Sequence, residues 1–472
     1  MSEPKPSRSL PNSSNSFPNS KQGSIRRREF LAHLSAGTLG ISIVPRHVLG
    51  GKGFIAPSER VRMAGIGVGG MGGGDVGTLT RLGAEYVALC DVDEQRAAGT
   101  FGGHKNARKY KDFREMLEKE AKHIDAVSVG TPDHTHAVAT VAALKLGKHV
   151  YCQKPLTQTL GECRSVFEAA QKAGVMTSMG NQGHATEGAR LTNEWIRSGL
   201  IGEVLDVHAW SDRAGKLWKQ GIGRPKDTPP TPATLDWDLW LGPRAYRAYN
   251  PAYAPHSWRG WLDFGTGALG DMGCHILDHP IWALELGAPS VVESRVTLDG
   301  SVVDGKPNTD SFPVASMIYY TFKGKNGRPP VHLTWYDGGL MPPAPAELPT
   351  GQRLPDNGVL YLGSKGKIYH SSHGGMPQVL PGELREHALI VPKTMERSPG
   401  HYEEFIRACK GGPKPVANFD YSGPMTETVL LGVLSLRVPG TRLEWDSASM
   451  KVQGMPELDR LIRPEARKGW VV

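Results

Sequence analysis

The sequence predicts an α/β protein. An N-terminal Rossmann-type, doubly wound parallel sheet is followed by a C-terminal α+β domain on an open, mainly antiparallel sheet. Three observations predict this. Between residues 61 and 182 short, continuously apolar segments alternate with helical ones, the pattern of parallel strands buried on both faces. The first of these segments runs directly into a cluster of glycines. Beyond residue 183 the segments lengthen and alternate polar with apolar residues, as strands with one covered face do.

The bulk properties agree. A chain of 472 residues exceeds one ordinary domain. Hydrophobic residues at 39% and charged residues at 22% describe a globular chain. No run approaches the 18 or so apolar residues of a membrane-spanning helix. The five cysteines are scattered without a C-x-x-C pair, so neither a disulfide framework nor a zinc ribbon is expected. The net charge of +8 suggests nucleic acid at first. However, residues 1–50 hold seven basic residues against two acidic ones, so the excess is largely theirs and nucleic-acid binding is not indicated.

Residues 1–50 read as a tail and an address. Residues 1–24 are rich in Ser, Pro and Asn and have little to bury. Arg26-Arg27-Arg28-Glu29-Phe30-Leu31 then precedes a short apolar run from Leu34 to Val44, the order of a signal peptide. Arg27-Arg28-x-Phe30-Leu31 resembles a twin-arginine signal, which exports folded protein to the periplasm or beyond. Val48-Leu49-Gly50 makes a poor cleavage site, and no nearby cysteine offers a lipid anchor.

Residues 51–182 form the expected nucleotide-binding domain. Its strands are Val61–Ile66, Glu85–Asp91, Ile124–Val129, His149–Cys152 and Val175–Met179, with helices over Phe113–Lys122, Ala137–Leu146 and Leu160–Ala173. With 58 glycines in the chain, a G-x-G-x-x-G spacing alone is weak, and four registers occur. Context selects Gly67-x-Gly69-x-x-Gly72, which follows a strand and opens a helix. There Gly67 permits the turn, Gly69 admits a pyrophosphate to the backbone, and Gly72 allows close helix packing. Asp91 lies nineteen residues beyond Gly72 at a strand end. A carboxylate there accepts both ribose hydroxyls and repels a 2′-phosphate, favouring NAD over NADP.

Ligands sit at the carboxyl ends of parallel strands, and two such loops are chemically loaded: Thr131-Pro132-Asp133-His134-Thr135-His136 and Cys152-Gln153-Lys154-Pro155. These residues resemble the TPxHxH and EKP signatures of the Gfo/Idh/MocA oxidoreductases, the relatives of glucose–fructose oxidoreductase and inositol dehydrogenase. The resemblance runs across about residues 60–450. It departs at Gln153, where Glu is usual, removing a negative charge beside Lys154. The nucleotide-binding set it implies is Gly67, Gly69, Gly70, Met71, Gly72, Asp91, Thr131, Pro132, His134, His136, Gln153 and Lys154.

Residues 183–395 are the expected substrate domain, with strands Glu203–Trp210, Val291–Leu298, Val314–Phe322, Val331–Tyr336 and Gly358–Tyr369. The aromatic-rich tract 224–264 suits either a core or stacking on a sugar ring. Residues 396–472 carry helices over Tyr402–Lys410 and Met425–Leu436 and a tail, expected to pack back on both domains.

Asp271, His275 and His279 stand at i, i+4 and i+8, on one helical face. Residues alone leave open a metal site, a structural Asp–His pair and a catalytic pair. The resemblance implies the third, without metal, because the segment is similar to the family's DxGxHxxD helix. His275 is then the proton acceptor, Asp271 its partner, and Lys154 the group that stabilises the developing alkoxide.

The expected activity is NAD-dependent oxidation of a CH–OH group in a sugar, cyclitol or glycoside. One alternative is a redox glycosidase that retains NAD, for which an exported address argues because free NAD is not regenerated outside the cytoplasm. A second is a non-catalytic sugar- or nucleotide-binding protein. The open sheet face suggests a homodimer or homotetramer.

Overall fold

The computed structural model describes residues 60–472 except Asn326 and Val471, so the tail and the export signal lie outside the described residues. The first sheet is built in the order β1 (Arg62–Ile66), α1 (Gly70–Arg81), β2 (Glu85–Cys90), α2 (Glu94–Gly103), β3 (Arg108–Tyr110), α3 (Phe113–Glu120), β4 (Ala126–Val129), α4 (Asp133–Lys145), β5 (His149–Cys152), α5 (Leu160–Ala173) and β6 (Thr177–Met179). Its six strands lie in the order β3-β2-β1-β4-β5-β6, all parallel. The winding reverses between β1 and β4, where such sheets open a crevice.

Two features differ from the sequence expectation. β3 is a sixth strand, and its short, polar Arg108-Lys109-Tyr110 carries no apolar pattern to announce it. α4 starts four residues early, at Asp133, with Pro132 as its cap and the Asp133 carboxyl in the first turn, where the helix dipole favours an acid. His134 and His136 are therefore helical residues rather than loop residues.

After α6 (Glu187–Arg197) comes β7 (Val204–Trp210), then α7 (Trp237–Leu241), α8 (Gly267–Ile276) and α9 (Asp278–Ala283). The strands that follow are β8 (Val291–Val296), the small hairpin β9 (Val302–Val303) and β10 (Lys306–Pro307), β11 (Ser316–Phe322), β12 (Val331–Tyr336), β13 (Gly358–Gly363), β14 (Lys367–Ser371) and β15 (Gln378–Leu380). The span 358–369, read from sequence as one strand, is the β13–β14 hairpin. Its turn is made where Gly366 O accepts from Gly363 N. After α10 (Leu384–Leu389), α11 (His401–Cys409) and α12 (Phe419–Ser435), β16 (Leu443–Asp446) and β17 (Lys451–Val452) close the sheet.

The order of this nine-stranded sheet is β15-β14-β13-β7-β12-β11-β8-β16-β17, antiparallel throughout except for β7 beside β12. α12 packs against α5 of the first domain and against α8 and β8 of the second. Two of its glycines allow this: a Cβ at Gly432 would lie 1.9 Å from the Tyr320 hydroxyl and one at Gly423 3.2 Å from Phe167. The 224–264 tract is largely core, since Trp237, Trp240, Tyr253, Trp258, Trp261 and Phe264 form one buried cluster, of which Trp240 and Trp258 also reach the central cavity.

Candidate active site

A cavity of about 670 Å³ opens at the carboxyl ends of β1, β2, β4 and β5 and reaches α8. Its nucleotide end is made mostly of backbone. Gly67 has φ +72° and donates to Cys90 O at 2.8 Å. A Cβ at Gly72 would lie 1.9 Å from Gly67 O, and one at Gly67 2.6 Å from Thr131 N, so loop, helix and β4 turn meet backbone to backbone. Gly67, Gly69, Gly70 and Met71 line the cavity, whereas Gly72 faces the packing contact. α1 starts at Gly70 without a side-chain cap. Its free N–H groups suit a pyrophosphate. The Thr131 hydroxyl beside them is buried and has no partner among the described residues. A side-chain-free turn, an uncapped helix and an orphaned hydroxyl fit a dinucleotide.

Asp91 is positioned as expected but is more committed. Its Oδ2 accepts from Val68 N at 2.8 Å and Gly69 N at 2.9 Å, and its Oδ1 from Asp93 N at 2.9 Å. The carboxylate therefore organises the glycine turn. It keeps free capacity for a ribose hydroxyl mainly on Oδ1, rather than accepting both hydroxyls equally.

Thr131, Pro132 and His136 border the cavity. The His136 ring lies between Thr131 O (2.8 Å) and Pro155 O (2.7 Å), tying the two signature loops together. His134 is a correction: it is fully buried, away from the cavity, between Trp240 O (2.8 Å) and Phe264 O (3.2 Å). Burial holds it neutral, with a pKa down to about 3. It staples α4 to the aromatic cluster instead of touching a cofactor.

Gln153 turns away from the lysine ammonium. Its amide Nε2 donates to Asp75 Oδ2 at 2.8 Å, and Tyr402 donates to Asp75 Oδ1 at 2.8 Å. Burial pushes the Asp75 carboxyl up to about 6, against the pull of these two hydrogen bonds. A glutamate in place of Gln153 would set two carboxylates face to face, which accounts for the departure from the signature.

At the other end of the cavity, Lys154 Nζ donates to Asp271 O at 2.7 Å and Oδ1 at 3.1 Å. Asp271 also accepts from Arg259 Nε at 3.1 Å and Arg213 Nη1 at 3.4 Å. Burial pushes the Asp271 carboxyl up, but the charges of Lys154, Arg259 and Arg213 outweigh it and hold it below the usual carboxylate range.

The Asp271–His275 pairing needs correcting. His275 Nδ1 donates to Asn181 Oδ1 at 3.1 Å, and its ring stacks on His373 with centroids 4.0 Å apart. This leaves Nε2 as the bare acceptor. Burial, then Lys154 and His373, lower the His275 pKa well below that of a free histidine. His279 lies elsewhere, fully buried with its ring edge-on to His370. Asp271 and His275 thus share the cavity with different partners while His279 does not reach it, and among the described residues no group of three His, Cys, Asp or Glu has metal-holding geometry.

Arg213, Arg259, Asn181 and His373 escape the sequence reading. Asn181 follows β6, so the carboxyl-end rule that finds Lys154 reaches it as well. Nothing local marks the other three.

Two family models match. One, described as an oxidoreductase family with an NAD-binding Rossmann fold, covers residues 61–181. The other, its C-terminal alpha/beta domain, covers residues 187–319. The inositol 2-dehydrogenase of Salmonella paratyphi B is 33% identical over 147 residues, 30% of this chain and 43% of that protein. The levoglucosan dehydrogenase of Pseudarthrobacter phenanthrenivorans is 27% identical over 168 residues, 35% of this chain and 34% of that one. The chain thus spans less than half the length of these curated relatives. Among solved structures, the WlbA dehydrogenase from Bordetella pertussis, in complex with NADH and UDP-GlcNAcA, aligns over 82% of this chain and 99% of its own, with a TM-score of 0.55 and 17% identity. At that identity the likeness is one of fold. With the matched domains joined around this cavity, the chain belongs to the Gfo/Idh/MocA oxidoreductase family, with an NAD-binding Rossmann domain.

Proposed function

We propose that this protein is an NAD-dependent dehydrogenase that oxidises a CH–OH group of a sugar, cyclitol or glycoside. The observation that carries the reading is the Lys154 ammonium, held by Asp271 in the same cavity as the glycine turn and the bare Nε2 of His275. When bound along Gly67, Gly69, Gly70, Asp91 and Thr131, NAD supplies the hydride acceptor.

The chain's own residues manage the proton and the charge. His275 Nε2 takes the hydroxyl proton as the C–H bond breaks and the carbonyl forms. The Asn181 carbonyl fixes the tautomer that makes this possible. Lys154 donates to the developing alkoxide. Asp271 anchors the lysine instead of the histidine, and both are nearly buried, 12% and 8% exposed, so the field between them is little screened.

Inositol and levoglucosan dehydrogenases among the relatives support this reading over NAD-retaining cleavage or mere binding. The test is nicotinamide reduction over a panel of cyclitols, sugars and glycosides. Reduction with at least one is expected, and none, with NAD bound, overturns the reading.

The proposal includes export through the twin-arginine route, on the motif Arg27-Arg28-x-Phe30-Leu31. Periplasmic protein should disappear in an Arg27→Lys/Arg28→Lys variant, and undiminished export refutes this part. It also includes self-association across the open sheet face, where Leu205 and Tyr319 are exposed. Light scattering should report a dimer or tetramer.

A further inference from the structure

The reacting end of the cavity carries more positive charge than hydride transfer needs. Three cations, Lys154, Arg213 and Arg259, converge on the single carboxylate of Asp271, a surplus of two. One lysine suffices to stabilise an alkoxide, and one cation suffices to neutralise Asp271. Partly buried charge without a counterion is costly.

The two arginines are also under-used. Among the described residues Arg213 makes one side-chain hydrogen bond, the 3.4 Å contact to Asp271. Arg259 spends Nε on Asp271 and Nη1 on His256 O at 3.2 Å. The remaining N–H groups of both forks have no partner among the described residues, and both side chains line the cavity with Lys154 and His275. Arg259 is kept in place by its face, which packs over Trp258 at 4.1 Å. A further acid near this cluster, Asp133, accepts from the Thr266 hydroxyl at 2.6 Å, and burial pushes its carboxyl up to about 7, so it offsets only part of the positive charge.

We propose that the substrate is an acidic sugar whose oxyanion is held by Arg213 and Arg259 beside the reacting carbon. Guanidinium forks match carboxylate and phosphate geometry with paired N–H donors, so a uronate and a sugar phosphate share the recognising chemistry. A carboxylate offsets one of the two surplus charges, leaving the other on Lys154 for the developing alkoxide, and a phosphate dianion offsets both. This rests on the dehydrogenase reading above, which places the reacting carbon at Lys154.

The test is equilibrium binding to the NADH complex, read by quenching of tryptophan fluorescence, since Trp218 and Trp258 flank Arg259. The probes are D-glucuronate and D-galacturonate, D-glucose 6-phosphate, and the neutral D-glucose, D-galactose and myo-inositol. At least one acidic probe should bind about tenfold or more tightly than its neutral counterpart, as a charge-assisted pair implies. The winning arm separates a carboxylate from a phosphate. In Arg213→Gln and Arg259→Gln the acidic-to-neutral ratio should fall toward one, and Arg213→Lys should keep part of it. Retained NADH affinity shows that each variant is folded.

Equal affinities, preference for neutral probes, no binding of any probe, or a preference that survives both substitutions overturns the proposal. Nicotinamide reduction is followed separately. Neutral sugars oxidised without acidic preference would remove this inference and keep the dehydrogenase. Selective acidic binding with no reduction by any sugar would do the reverse.

Discussion

The two ends of the cavity are built from different material. The nucleotide end is backbone: a left-handed Gly67, a helix start at Gly70, and a Gly72 that no side chain can replace without striking Gly67 O. The substrate end is side chain: Lys154 after β5, Asn181 after β6, Arg213 after β7, Arg259 before α8, Asp271 and His275 within α8, and His373 after β14. Backbone sites follow from local spacing, because a turn and a helix start are made within a few residues. Side-chain sites follow from tertiary convergence. The two ends should therefore fail separately when mutated.

The largest effect is expected from Lys154→Met. Losing the alkoxide donor should cut kcat/KM by about 10²–10⁴-fold. It should also leave Asp271 with one cation fewer. NAD affinity should stay within a few-fold, since no hydrogen bond of Lys154 reaches the glycine turn. A parallel loss of NAD affinity would break the separation.

Gly72→Ala is the complementary experiment. The new methyl meets backbone at 1.9 Å, which cannot rotate away, so overpacking of about 1–3 kcal/mol is expected. Calorimetry should show weaker NAD binding, by about tenfold or more, while sugar affinity of the surviving complex holds. Unchanged NAD binding would mean that the turn is looser than its contacts imply.

These experiments also mark what a sequence can disclose. The glycine turn, Asp91 and the Lys154 loop are legible because spacing encodes them. Asp271 and His275 are correctly assigned to one helix, yet spacing identifies who shares a face and not who else arrives there. Hence the arginines on Asp271 and the asparagine on His275 change both roles. His134 is over-read for the opposite reason: a polar residue inside a signature looks functional until Trp240 and Phe264, more than a hundred residues away, are seen to bury it. Arg213 and His373 stand in segments with no motif at all.

A smaller effect sharpens the substrate end. Because burial, Lys154 and His373 lower the His275 pKa, the base stays unprotonated as pH falls through about 6.5, the ordinary histidine value. The acid limb of kcat/KM should therefore lie below that pH. Asn181 positions this ring, so Asn181→Asp, which sets a carboxylate on Nδ1, should raise the histidine pKa. The acid limb then moves upward, with kcat lowered up to about tenfold and KM little changed. A limb that stays in place would remove Asn181 from the mechanism.

The smallest effect is expected from Gln153→Glu, which restores the usual signature residue. Lys154 is governed by Asp271, whereas the Gln153 amide serves Asp75. Turnover near pH 6 should accordingly change only a few-fold. The cost should fall on stability, and it should depend on pH. The introduced glutamate and Asp75 would stand at hydrogen-bond distance, where two carboxylates cannot both ionise, so the folded pair retains a proton. A retained proton means a folded pKa above the unfolded carboxylate value of about 4. Such a group contributes stability that is fully present below the unfolded pKa and is lost as pH rises through the folded one. Asp75 already shows this sign, with a pKa near 6, and the second carboxylate extends the window upward. Thermal melts should then find Gln153→Glu close to the parent protein at pH 5. Its deficit should grow by up to about 1.4 kcal/mol per pH unit across the window. Adding Asp75→Asn removes the opposing carboxylate and should flatten the dependence. If the melts are pH-independent while turnover drops more than tenfold, residue 153 acts on Lys154 after all, and Asp75 is not the reason for the glutamine.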